Sequence, residues 1–175
     1  MFRLLFKSAM RVGSALVLQA GLCARWLLLL MLLVIVMVLI LRNGLDHSSA
    51  GVEELKLYAQ AYLIMIGASY VQQLNGHVRV DVLYGCLSQL ARDWIDLLGH
   101  VLFALPFYSF LLWLSADFAY ASATVREAST NPGGLPFLYI MKAALPLGGL
   151  LLIVQCVLDI FNYLARVSLI QSVKS

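Results

Sequence analysis

Residues 97–116 read LLGHVLFALPFYSFLLWLSA, a run of 20 positions without a formal charge between Asp96 and Asp117. At about 1.5 Å per residue a helix of that length covers about 30 Å, the thickness of a bilayer's hydrocarbon core. Inside lipid no water is present to satisfy backbone amides and carbonyls, so such a run reads as a membrane-spanning helix. A second run of the same length, LYAQAYLIMIGASYVQQLNG at 57–76, lies between Lys56 and His77.

Two shorter runs complete the pattern. WLLLLMLLVIVMVLIL at 26–41 and AALPLGGLLLIVQCVL at 143–158 are 16 residues each. As helix each reaches only about 24 Å, so both must extend to cross. The first extends backwards past Arg25, whose long stem can snorkel, and the second forwards past Asp159 to about Leu164. Composition agrees. The chain is 62% apolar and 12% charged, with a mean hydropathy of +0.91, against about 45–50% apolar and about 25% charged in soluble domains.

The expected fold is therefore an all-α integral membrane protein with four transmembrane helices near 20–41, 56–75, 94–118 and 142–165. The connectors 42–55, 76–93 and 119–141 are too short to bury an independent core, so residues 1–175 read as a single membrane domain. The first apolar run ends at Arg42 without a small-residue cleavage site, and Leu22 is too bulky before Cys23 for a lipoprotein box, so an uncleaved first helix is expected. Arg3, Lys7 and Arg11 recur every four residues on one face, either as a short amphipathic helix lying on the membrane surface or simply as topogenic charges on a frayed terminus.

Orientation follows from the basic residues, which concentrate in short cytoplasmic segments. With the N-terminus inside, that side collects Arg3, Lys7, Arg11, Arg25, Arg79, Arg92, Arg166 and Lys174, against Arg42, Lys56, Arg126 and Lys142 outside. Both termini are thus expected in the cytoplasm.

The polar interruption HVRVDVLY at 77–84 then lies on the cytoplasmic side. Its alternating valines have the period of a strand, but a lone strand would leave its backbone unpaired, so an extended turn leading into an interfacial helix is expected. His77 and Asp81 are too few for a metal, and Cys86 has no partner at zinc-binding spacing. No nucleophile, base and orienting group stand at a known spacing, so neither an enzyme nor a metal or cofactor site is expected. His77, Arg79 and Asp81 read as a structural anchor where a helix leaves the membrane. Cys23, Cys86 and Cys156 read as small apolar packing residues.

HVRVDVLY, then WIDLLGHVLFALPF at 94–107, EASTNPGGLP at 127–136 and KAALPLGGLLLIVQ at 142–155 together resemble the small membrane subunit of tripartite ATP-independent periplasmic (TRAP) transporters, in particular the mannitol and chloroaromatic subgroup. The positions that carry the resemblance include Glu54, Gly67, His77, Arg79, Asp81, Trp94, Asp96, Gly99 and Pro106. They continue through Ser122, Glu127, Ser129, Gly133, Gly134, Pro136 and Lys142 to Pro146 and Gln155.

That resemblance implies a function. In such systems a periplasmic solute-binding receptor captures an organic anion. A large membrane subunit carries it across the bacterial inner membrane on a sodium gradient, and the small subunit braces the large one. It implies no nucleic-acid partner and no cofactor of the chain's own. The sequence supports a brace independently, since the middle of each span is nearly empty of charge, whereas transport paths hold ionisable groups at bilayer depth. Alternatives are a self-contained small four-helix transporter, which would need a carboxylate within residues 26–41 where none occurs, and an unrelated membrane scaffold.

Within this reading Glu54 opens helix two, and Asp96 and His100 form an i, i+4 pair. Asp159 is either an interfacial group near Asn162 and Arg166 or a partner for a base on another subunit. Glu127, Gly133, Gly134 and Pro136 belong to a rigid elbow leading into helix four. Pro106 is expected to bend helix three, and Gly67, Ala68 and Ser69 to admit a close helix neighbour.

Overall fold

The computed structural model describes residues 2–44, 49–74 and 87–174. All regular elements among them are helical. Helix α1 spans Phe2–Gly44, α2 Ala50–Gln73, α3 Gln89–Thr124 and α4 Leu138–Lys174.

The helices outrun the expected boundaries. α1 has 43 residues, about 65 Å as helix and roughly twice the hydrocarbon thickness. The basic N-terminal segment is its first turns rather than a separate surface helix, because no glycine–proline break separates residues 3–11 from the apolar run. The strongly amphipathic Gln89–Gly99 opens α3, ahead of the expected start at 94, and the interfacial helix expected from Asp81 onward lies mostly outside the described residues. Ser88 caps it, its hydroxyl accepting the Ala91 N–H at 3.4 Å. The anchor residues His77, Arg79 and Asp81 lie outside the described residues.

Among the described residues three segments, Met10–Gly44, Gln89–Thr124 and Leu138–Ser168, are long and apolar enough to cross a membrane. α2 has the length, 24 residues, or about 36 Å. Its apolar content is thinned by Glu53, Glu54 and Lys56 at the start and by Gln60, Gln72 and Gln73.

Packing places the helices in one layer, in the order α1, α2, α4, α3. α1 also touches the edge of α4, but among the described residues no substantial packing joins α1 or α2 to the body of α3. A closed bundle would bring the ends of that row together. α4 can sit between two neighbours because adjacent glycines face them. A Cβ on Gly148 would lie 2.9 Å from the Met65 carbonyl of α2, and one on Gly149 3.4 Å from the Leu112 backbone of α3. On the far side of α2, Gly21 of α1 receives the ring of Tyr70.

A single layer leaves apolar faces open. The chain exposes 11729 Å², whereas a compact soluble protein of its mass exposes about 8,500 Å². Trp26, Leu29, Leu33 and Ile40 on α1 and Phe103, Phe107, Phe110 and Trp113 on α3 are all exposed.

Pro106 does not simply bend α3. It lacks an N–H and crowds the carbonyl four residues back, and the preceding turn, His100–Ala104, widens into a π-helix in which the Leu105 N–H donates to the His100 carbonyl. Among the described residues nothing lies within 4 Å of a Cβ placed on Gly67; Ser69, two residues on, is the buried member of that trio.

Candidate functional site

Two polar clusters, at opposite ends of α2, hold the layer together. At the first, Glu54 is buried beside the 127–137 loop. Its carboxylate accepts the Ser129 hydroxyl, the Asn131 amide at 3.0 Å and the Leu135 backbone N–H at 2.7 Å. The Ser129 bond, then those from Leu135 and Asn131, hold the Glu54 carboxyl below the ordinary glutamate value of 4.5. The loop is tied internally as well, the Ser129 N–H donating to the Leu135 carbonyl at 3.0 Å and the Gly134 N–H to that of Asn131 at 2.9 Å.

Two glycines make this clasp buildable. Gly133 has φ of 76°, the left-handed region open to glycine at little cost. A Cβ on Gly134 would lie 2.5 Å from the Ser129 hydroxyl and 2.6 Å from the Glu54 carboxylate, so only a glycine lets the loop close on the acid.

The loop leaves α3 through a left-handed cap. Arg126 has φ of 46°, and the Glu127 N–H reaches the Ser122 carbonyl at 3.0 Å while the Arg126 N–H reaches that of Ala123 at 3.1 Å. These paired bonds satisfy carbonyls the helix would otherwise orphan. Glu127 then meets Lys142 of α4 at 2.5 Å, and the Lys142 ammonium sits 4.2 Å above the Phe118 ring of α3. The Lys142 hydrogen bond holds the Glu127 carboxyl below its ordinary value.

At the other end Asp159 of α4 gathers three helices. It accepts the Gln72 amide of α2 at 3.0 Å and the Gln155 amide at 2.8 Å. The His100 Nε2 of α3 lies 3.7 Å away, and the His100 ring stacks at a tilt on Tyr163, centroids 5.4 Å apart. Nearby, the Gln73 amide donates to the Ser14 carbonyl and hydroxyl of α1 at 2.9 and 2.8 Å.

Several residues singled out from the sequence thus meet in space. Glu54 joins the elbow that contains Gly133 and Gly134, with Glu127 bonded to Lys142 close by; Pro136 is exposed on the same loop. Asp96 and His100 do not pair side chain to side chain as their spacing predicts. The His100 Nδ1 donates to the Asp96 backbone carbonyl at 2.7 Å, and its ring turns to Asp159. Asp159 lies among amides from two helices, Gln72 of α2 and Gln155 of α4. The reading missed Gln72, Asn131 and the Gln73–Ser14 pair. Amides closing an apolar run at 72–73 were the available signal, because a side chain that must bond in lipid seeks another helix.

Chemically these clusters tie helices and close a loop. Among the described residues no three His, Cys, Asp or Glu side chains come together as a metal site would need.

The chain matches the sequence model described as tripartite ATP-independent periplasmic transporters, DctQ component, over residues 31–166. The chain belongs to that family. No curated protein and no solved structure matches it.

Proposed function

We propose that this chain is a four-pass brace of a bacterial inner-membrane transporter. In this reading both termini lie in the cytoplasm and residues 1–175 act as one membrane domain. A large subunit carries an organic, carboxylate-bearing anion on a sodium gradient, loaded by a periplasmic receptor.

The open single layer is the observation that carries the bracing role. Its aromatic and aliphatic faces on α1 and α3 exceed what the chain can cover by itself; lipid covers such faces in a membrane, and in a tripartite system the large subunit can take the place of lipid on them. The chain's own charges point the same way. Glu54, Glu127 and Asp159 are engaged with neighbouring helices or loops instead of lining a path.

The count of passes rests on how α2 pairs with α1. α2 begins six residues after α1 ends at Gly44, and near its other end Gln73 bonds Ser14. The two helices therefore run antiparallel over the length of α2, 24 residues, about 36 Å. If α1 crosses the bilayer, α2 crosses it beside α1.

Co-expression with the large subunit tests the role. A complex surviving mild detergent, and sodium-driven uptake that stops when this chain is omitted, are the expected results. Full uptake by the large subunit and receptor alone would sink the proposal.

A further inference from the structure

Opposite the Glu54 clasp, α1, the end of α2 and α4 enclose an open cleft of about 520 Å³. Arg11 and Arg166 line it from α1 and α4, both exposed, and the Arg166 guanidinium lies 5.8 Å over the Tyr163 ring. Asp159 lines it too, but each of its carboxylate oxygens already accepts an amide, from Gln72 and Gln155. Those amides are neutral, so Asp159 keeps its charge, and two guanidiniums against one carboxylate leave the cleft net positive.

A second observation is independent of charge. Among the described residues the side-chain oxygens of Gln73 and Gln155, both in the lining, have no hydrogen-bond partner, and Gln155 is only 3% exposed. A buried acceptor left unpaired is costly, so the cleft calls for donors as well as for an anion.

The cleft also sits at a particular depth. On α1 it lies before the apolar run that begins at Trp26, on α2 at the terminal glutamines, and on α4 where the run ending at Leu158 gives way to Asp159. The boundary between polar and apolar surface passes through it on all three helices. Leu18 and Leu158 continue its wall on the apolar side.

We propose that this cleft binds the headgroup of a glycerophospholipid that carries both a phosphate and hydrogen-bond donors, as ethanolamine or glycerol headgroups do. The phosphate lies between Arg11 and Arg166, the donors face the Gln73 and Gln155 oxygens, and the acyl chains follow Leu18 and Leu158. The site requires only that the chain lies in a membrane, and stands whether or not the chain acts as a brace.

The full chain, reconstituted in phosphatidylcholine nanodiscs containing equal fractions of phosphatidylethanolamine and phosphatidylglycerol, is extracted into mild detergent and weighed by native mass spectrometry. Retention of either donor-bearing lipid over phosphatidylcholine by about fivefold or more is expected, a difference of about 1 kcal/mol. The double variant Arg11→Gln, Arg166→Gln should lose that preference. Both arginines are exposed; should the variant still fail to fold, the selectivity of the unmodified chain decides by itself. Equal retention of phosphatidylcholine, or an unchanged preference in a folded double variant, would overturn the proposal. Loss of bound lipid on adding excess inorganic phosphate would also overturn it, assigning the cleft to a soluble anion.

Discussion

The Glu54 carboxylate accepts the Leu135 backbone N–H at 2.7 Å across 81 residues of chain. That one acid, with bonds from Ser129 and Asn131 on the same loop, converts the connection between α3 and α4 into a fixed lid over the start of α2.

Replacing Glu54 should therefore open the loop without unfolding the helices. Glu54→Gln turns an amide donor toward groups that are themselves donors, so it should be nearly as damaging as Glu54→Ala. Limited proteolysis within 127–137 should accelerate several-fold in both while helical content holds. Unchanged cleavage would show that the loop is held by its internal bonds alone.

The same acid gives the lid a pH dependence. Both Glu54 and Glu127 are depressed below 4.5. A carboxyl lowered on folding contributes stability that is complete above its unfolded value and is lost as pH falls through the folded one. Hydrogen exchange at the Leu135 amide should thus be protected and level above about pH 5, and protection relative to the helix interiors should fall below pH 4.5. A Glu54→Ala chain should show little of that fall.

Glycine substitutions should separate by position. Gly134→Ala drives a methyl into Ser129 and Glu54 and should mimic loss of the clasp, whereas Gly67→Ala meets nothing within 4 Å. In the isolated chain Gly67→Ala should be neutral or stabilising by up to about 1 kcal/mol, the helix-propensity gain. If the α2 face carrying Gly67 packs on a large subunit, the same change should lower recovery of the complex. Thermal melts of the chain and pull-down yields read the two effects separately.

At the other end, Asp159→Ala leaves the amides of Gln72 and Gln155 without their acceptor. A loss of about 1–3 kcal/mol is expected from stranded buried groups. A double-mutant cycle with Gln72→Ala should show coupling, because the second change removes one stranded donor. Additive effects would mean that Asp159 acts through some other contact.

Sidedness can be read with single cysteines at Ser49 and Ser88, in a chain lacking Cys23, Cys86 and Cys156. Impermeant reagent should label Ser49→Cys from the periplasm and Ser88→Cys only from the cytoplasm. Labelling of both from one side would remove the four-pass arrangement.

Much of this architecture is written locally. Uncharged runs at 26–41, 97–116 and 143–158 determine three apolar helices, because a backbone in lipid must satisfy itself within about 20 residues. The ordered motifs from HVRVDVLY to KAALPLGGLLLIVQ determine the family, and Gly133 and Gly134 announce a tight elbow. What the elbow closes on depended on tertiary structure, since Glu54 lies 75 or more residues away and its spacing carries no trace of Ser129 or Leu135. The same holds for His100. Helical spacing offers it the Asp96 side chain, but α4 packs close at Gly149 and brings Asp159 within reach instead. Hydropathy records how deep a residue sits in the membrane and periodicity records its helix face. Only packing decides which helix that face meets, and here it set four helices in an open row and left their outer faces uncovered.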